Sequence, residues 1–511
     1  MNQAANLQRT MNLRKTSEET HPIPVTTPEA VGIPSEAVSR FLSRLEAKNL
    51  CMHSVLMLRR GELAVEAYWR PFDERSLHRL YSTSKSIVSV AVGMLVGEGR
   101  VKVDDPLIKY FPERAAENLH PFVAGATIRD LLMMAAPHFH EACTYKFTDP
   151  DWAETYFKTP PTHRAGQIFS YDTTATVMLC ILVRRVTGKE FLDYMRPRLL
   201  DPLGISPEAW CVETPCGHAW GGSGVLFTAR DLAKFALFCM NRGRVGDDQV
   251  VPESYMADAT SRQIDNIVAN GDSEHQFGYG YQFWRTRHNG FACRGMGSQL
   301  AVCLPDHDFV LVTLGDTQAI PSACAAIYDA LWEEILPHLR QQSSLPPNPG
   351  AHAALQSRLA GQALLTVPGA AESPTAARVH GRTYVMGENA MGIRTVRFDF
   401  EGRAGKFIYE NATGKHELGF GFGTHHEQRF PETHYFGARI GTPYGQGYRC
   451  HTSGAWVLEN SLVVICYATD AYFGTLKMNF VFDGPDVTVL MDKNAEFFFD
   501  EYVGFASGSW Q

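Results

Sequence analysis

The chain has 511 residues, 45% of them hydrophobic and 20% charged, with 47 Lys and Arg against 55 Asp and Glu for a formal net charge of −8. That length exceeds what a single hydrophobic core serves, so two domains are expected, and the composition is that of a globular chain. An acidic balance without a dense basic run argues against a nucleic-acid partner, because phosphate binding needs a concentrated positive face.

The opening "MNQAANLQRTMNLRKTSEETHPIP" lacks the apolar core of a secretory signal, so residues 1–21 read as a disordered or extended tail on a cytoplasmic protein. From 22 to 340, strand-like and helix-like segments alternate. "HSVLMLRRGELAVEAYW" reads as two strands about a turn at Arg60-Gly61, and a helix follows from near Ser82. Its most apolar part, Ile87 to Val96, is too short to cross a bilayer and is broken by Ser89 and Gly93, so no membrane partner is expected. "TIRDLLMMAA" starts with Thr127 in capping position. "YDTTATVMLCILVRRVTGKEFLDYMRPRLLDPLG" carries two helices, one ending near Thr187-Gly188 and one before Pro202. "TARDLAKFALFCMNRG" is a further helix between a Thr228 cap and a Gly243 stop, and "SQLAVCLPDHDFVLVTLGD" gives two strands about Pro305-Asp306.

Residues 341–378 open with the turn-rich "QQSSLPPNPG" and read as a linker holding a short helix. Over 379–511, period-two segments such as "TVRFDF", "KFIYEN", "AWVLENSLVVICYA" and "VTVLM" predict a small antiparallel β domain, a barrel or a sandwich. Eleven cysteines, an odd number without a CxxC or Cys/His ladder, read as reduced and mostly buried thiols, not as disulfides or zinc ligands.

The chemistry is carried first by Ser82-Thr83-Ser84-Lys85. A serine hydroxyl needs a base within reach to become a nucleophile. Residues three apart share one face of a helix, which brings Lys85 to Ser82. Desolvation penalises an ammonium, so an amine kept dry can take a neighbouring alcohol's proton. The amides of a first helical turn would favour the developing anion. S-x-x-K is an acyl-transfer signature; alone it also arises by chance as a surface helix cap.

Several further stretches accompany it in order: "GRVKVDDPLIKYFPE", "TIRDLLMMAAP", "RAGQIFSYDTT", "GGSGVLFTARDLAKF" and "RGMGSQLAVCLPDHDFVLVTL". Together with Leu80–Glu113 this arrangement resembles the serine β-lactamase-like, penicillin-binding-protein-like hydrolases. That family holds class C β-lactamases, esterases, D-amino-peptidases and nylon-oligomer hydrolases. The resemblance implies an α/β (α+β) domain, an antiparallel sheet flanked by helices with the active site between them, ahead of the small antiparallel β domain. It makes Tyr171 the catalytic tyrosine, sharing a proton with Lys85 and returning it to the leaving group. Backbone amides of Ser82 and, by alignment, Met296 would form the oxyanion hole.

Departures from the family pattern bear on substrate. Ala165-Gly166 replaces a proline-glycine pair, and Thr173 stands where asparagine or serine is usual. Threonine can bond Lys85 yet cannot grip a β-lactam side chain as an amide would. The third motif is Arg294-Gly295-Met296-Gly297, without the lysine or histidine of β-lactamases. Arg294 could neutralise a substrate carboxylate or be a plain surface arginine. Thr173, Arg294, Gly295, Gly297 and His138 are the candidate substrate contacts. "PHFHEAC" places His138, His140 and Glu141 together, and pocket lining is favoured there over a metal site. "GTHHEQRFPETHYFG" reads as a solvated loop.

The expectation is thus a serine hydrolase acting through an acyl-enzyme on a small ester or amide, with no metal or organic cofactor. β-Lactamase or D-amino-peptidase activity, acyl transfer, and a non-catalytic binding protein on the same fold remain alternatives.

Overall fold

A computed structural model describes residues 21–510, apart from 116–117, 140–150, 215, 268–272, 340–343, 433–448, 471–472 and 496–498. The described residues form two compact units that divide between Ala363 and Leu364, inside the 341–378 segment.

In the first unit, helix α1 (Ser35–Ala47) buries Ala37, Val38, Phe41, Leu42 and Leu45, one stripe at helical spacing. Strands β1 (Met52–Arg59) and β2 (Glu62–Tyr68) flank Arg60 and Gly61 at φ 55° and 77°, the paired positive angles of a tight hairpin turn. Helix α2 (Ser84–Gly97) is buried from Ser84 to Leu95. Helix α3 (Thr173–Thr187) ends at Gly188 in the left-handed conformation. Helix α4 (Ala229–Met240) opens with a reciprocal Thr228–Asp231 capping box, as the short helix Ile128–Leu132 does with Thr127 and Asp130. Strands β3 (Trp284–Arg285), β4 (Phe291–Gly295), β5 (Gln299–Leu304) and β6 (Phe309–Gly315) complete an antiparallel sheet of order β2-β1-β6-β5-β4-β3. Helix α4 lies on β1, β5 and β6. Helix α5 (Ala323–Ala330) runs on through a π turn to Leu339 and packs on α1, and α6 (Pro349–Ala360) crosses α1 with Arg358 Nη1 on the Ser39 carbonyl at 2.6 Å. Helices α2 and α3 pack together. The 3-10 turn Tyr81–Thr83 ahead of α2 rests against β4 and β5, so Ser82 sits where helices meet sheet.

The second unit is a barrel. Its strands are β7 (Thr383–Met386), β8 (Thr395–Glu401), β9 (Ala404–Asn411), β10 (Gly414–Phe422), β11 (His426–Arg429), β12 (Arg449–Leu458), β13 (Ser461–Thr469), β14 (Phe473–Asp483), β15 (Asp486–Asn494) and β16 (Gly504–Ser509). Neighbours run β10-β9-β8-β7-β16-β15-β14-β13-β12-β11, and a parallel pairing of Gly421 with Ser453 and Phe422 with Gly454 joins β10 to β12. Nine strands therefore close on themselves, with β11 attached outside the ring. Alternate residues of β15 (Val487, Val489, Met491) are buried, and Phe480 packs against Phe398 and Phe407 in the same core. Glu432 is buried among Tyr409, Tyr502, Asn411 and Thr413, all donating to its carboxylate.

Two local expectations need correction. The histidine-dense run read as a solvated loop contains β11, because His426–Arg429 pairs residue for residue with Thr452–Arg449; residues 433–437 of that run lie outside the described residues. The segment 341–378, read as a linker holding a short helix, carries a second one that starts within it, Pro374–Val379, opened by the Ser373 side chain accepting from the Thr375 amide at 3.1 Å.

Candidate active site

The α-helix begins at Ser84, two residues later than the sequence reading places it, and Ser82 sits inside the 3-10 turn ahead of it. Tyr81 before it has φ 47°, a costly conformation for a residue with a side chain. Several bonds hold that turn in place. The Leu80 amide donates to the Val225 carbonyl at 2.8 Å, and Thr83 Oγ1 donates to the Gln299 carbonyl at 2.8 Å. Buried Arg79 lies over the Tyr81 and Trp220 rings and donates to the carbonyl and hydroxyl of Ser223 at 2.9 and 3.0 Å.

Lys85 is only 1% exposed. Its Nζ is 2.8 Å from Ser82 Oγ and 2.7 Å from the Gly222 carbonyl oxygen, and 4.8 Å from the centre of the Tyr171 ring. The sequence-predicted serine, lysine and tyrosine thus come together. Tyr171 is placed by aromatic packing, stacked on Trp284 at 5.6 Å and set against the buried Met134, Phe169, Tyr279 and Trp284. Burial raises the Tyr279 phenol well above its ordinary range, with the neighbouring Tyr171 and Cys293 adding to it, so Tyr279 is a neutral wall.

The β4–β5 hairpin forms the other side. Its tip is Met296, Gly297 and Ser298, the last two at φ 77° and 68°. Gly295 touches the serine turn so closely that a Cβ there would lie 2.2 Å from the Leu80 carbonyl oxygen. Gln299, fully buried, clamps the tip: its Nε2 donates to the Met296 and Gly315 carbonyls at 2.9 and 2.6 Å, and its Oε1 accepts from the Gly315 amide at 3.1 Å.

A cavity of about 630 Å³ opens here, within the size range of small-molecule sites. Ser82, Tyr171, Arg294, Gly295, Met296 and Gly297 all line it. Arg294 lies 5.3 Å from the centre of the Trp284 ring and makes no ion pair with any described residue. Two expected contacts are placed differently. Thr173 makes no hydrogen bond to Lys85; it meets the site through Gly222, where a Cβ would lie 2.3 Å from Thr173 Cγ2. His138 is absent from the cavity wall: it is fully buried, its Nε2 donates to the Thr159 carbonyl at 3.1 Å, and burial lowers its pKa to about 4. Phe139, beside it, takes the wall position. His140 and Glu141 lie outside the described residues.

The sequence reading missed Ser170 and Trp284. Ser170 lines the cavity, is 8% exposed, and its Oγ has no partner among the described residues. Its place beside Tyr171 was the available signal. Among the described residues, no three His, Cys, Asp or Glu side chains are grouped to hold a metal ion, and no helix is long and apolar enough to cross a membrane.

The model of the family described as beta-lactamase matches residues 52–330, more than half of the chain. The chain belongs to the beta-lactamase family. This beta-lactamase-family chain is 27% identical over 271 residues to a 6-aminohexanoate-dimer hydrolase of Paenarthrobacter ureafaciens, covering 49% of the chain and 66% of that relative, just under two thirds of its length. An uncharacterized protein of Alkalihalophilus pseudofirmus is 21% identical over 295 residues, covering 51% of the chain and 82% of the relative. Among solved structures, a putative 6-aminohexanoate-dimer hydrolase from Bacillus anthracis superposes with a TM-score of 0.52 at 20% identity, over 66% of this chain and 91% of its own. That likeness establishes the beta-lactamase-like fold of the first unit.

Proposed function

We propose that this beta-lactamase-family hydrolase is a serine hydrolase that acts through an acyl-enzyme on small esters or amides. The 2.8 Å contact between Lys85 Nζ and Ser82 Oγ carries the reading. In its neutral form the amine can accept the hydroxyl proton through that contact while one N–H stays on the Gly222 carbonyl. Ser82 Oγ then attacks the substrate carbonyl. The oxyanion would be met by backbone amides of Ser82 and Met296, whose chain positions the Gln299 clamp and the Gly295 contact fix. Lys85 and Tyr171 pass the proton to the leaving group, and water repeats the cycle in reverse to free Ser82.

The walls suggest the substrate. Phe139, Phe169 and Trp284 suit an apolar acyl or amine chain, and the Arg294 guanidinium suits a carboxylate at its end. The 6-aminohexanoate-dimer hydrolase named above makes a short linear amide the first to try.

A fluorophosphonate probe tests the nucleophile: wild type should label, and Ser82→Ala should not. Assays with p-nitrophenyl butyrate, a short amide oligomer and nitrocefin test the class. Efficient nitrocefin turnover with little esterase or amidase activity would overturn the substrate reading, and folded wild type that never labels would overturn the enzyme reading.

A further inference from the structure

The Ser82 cavity holds a second nucleophile that the proposed mechanism leaves unused. Cys324, the second residue of α5, lines the cavity, and its Sγ lies 3.7 Å from His275 Nε2. The amides of a first helical turn favour a thiolate, as does an adjacent imidazole. His275 is rigidly set. It is 1% exposed, its carbonyl accepts from Asn266 Nδ2 at 2.7 Å, and its ring meets Trp284 and Tyr328 edge-on at 5.3 and 6.2 Å.

A second Cys–His contact among the described residues shows what is particular here. Cys51 Sγ lies 3.8 Å from His53 Nε2, but burial and then the Asp316 carboxylate raise that thiol well above its ordinary range, and His53 Nδ1 is engaged with His78 at 2.7 Å. Cys180, Cys239, Cys293 and Cys303 line no part of the cavity, whereas Cys324, itself only 8% exposed, has a place on its wall. Among the described residues, Cys324 alone combines an imidazole neighbour, a helix start and a place on the cavity wall.

We propose that Cys324 and His275 form a modification site for small disulfides, and that the mixed disulfide closes the cavity to substrates of Ser82. His275 Nε2 takes the thiol proton, and Cys324 Sγ attacks one sulfur of the disulfide. The new S–S bond forms as the old one breaks, and the departing thiolate leaves with the proton from the imidazolium. The incoming disulfide is the oxidant, and a free thiol reverses the step. The closure half rests on the proposed role of Ser82; the modification half does not.

The test uses the full chain and oxidised glutathione, with peptide mass spectrometry for the modified cysteine and fluorophosphonate labelling for Ser82. Cys324 should be modified ahead of the partly exposed Cys211 and Cys216, and labelling should slow about tenfold or more, returning with dithiothreitol. Cys324→Ala should keep its own untreated labelling rate, and folded His275→Gln should modify Cys324 more slowly. An unmodified Cys324 beside a modified Cys216 would overturn the proposal, as would Cys324→Ala slowing as much as wild type. Wild type that never labels would remove the hydrolase reading alone, because the peptide map still decides the thiol.

Discussion

Replacing Gly295 by alanine would set a Cβ 2.2 Å from the Leu80 carbonyl oxygen and 3.1 Å from the Thr83 amide nitrogen. Ordinary contact begins near 3.4 Å, so the hairpin tip or the serine turn must give way by about 1.2 Å. Neither moves freely. Gln299 pins the tip to Gly315, and Arg79, the Leu80 amide and Thr83 pin the turn. A displacement near 1 Å can cost about 100-fold in rate, and loss of one oxyanion donor about 100- to 1,000-fold. Gly295→Ala should therefore label with fluorophosphonate about 100- to 1,000-fold more slowly than wild type. The overpacking should destabilise the first unit by about 1–3 kcal/mol. Labelling kinetics and a thermal melt on the same preparation separate the two effects. A variant labelling within about threefold of wild type would refute the argument that this close approach builds the site.

Lys85→Ala should abolish labelling, and Lys85→Arg should not restore it, since a guanidinium has no accessible neutral form. Tyr171→Phe keeps the stack on Trp284, so turnover of p-nitrophenyl butyrate should fall about 100- to 10,000-fold with little change in melting temperature; unchanged turnover would remove the phenol from the mechanism. Burial lowers His53 well below its usual range, with His78 adding to it, and lowers His78 to about 3. Unfolded, both bind protons near 6.5, so stability is complete above that pH and falls as pH drops toward 3, by roughly 2 kcal/mol for His78 at about pH 5 with a loss of the same sign from His53. Melts at about pH 7.5 and 5 should show that loss, and His78→Asn should lose less between the two; equal losses would refute the assignment. For Glu432, burial alone would raise the pKa, but hydrogen bonds from Tyr502, Tyr409, Asn411 and Thr413 bring it net below the usual value. Glu432→Gln should cost the barrel about 1–3 kcal/mol, read as a lower barrel transition by calorimetry.

Much of the first unit was legible because local chemistry and tertiary packing agree there. The Thr127 and Thr228 caps, the Arg60-Gly61 turn and the Pro305-Asp306 turn fall where residue type alone puts them. What escaped depends on contacts distant in sequence. Strand β11 carries no period-two apolar pattern and exists through its pairing with β12. Thr173 and His138 are near Tyr171 and the cavity in motif order, yet Gly222 and Thr159 decide where they sit. Trp284 closes the stretch "FGYGYQFW", whose residue types alone carry no catalytic signal, because it acts by stacking on Tyr171 and Arg294.

The seam at residues 421–422 and 453–454 also bears on how copies of this chain treat one another. The two-residue stitch ties down the ends of β10 and β12, edges that could otherwise recruit a stranger's strand, and the short outlying strand carries His426, Glu427 and Arg429, charged or polar side chains that discourage growth. Gly454 lets the stitch form, since any Cβ there would meet the Phe420 ring at 2.6 Å. A bulky residue at that one position should open the stitch and leave those strand ends free to pair with another copy.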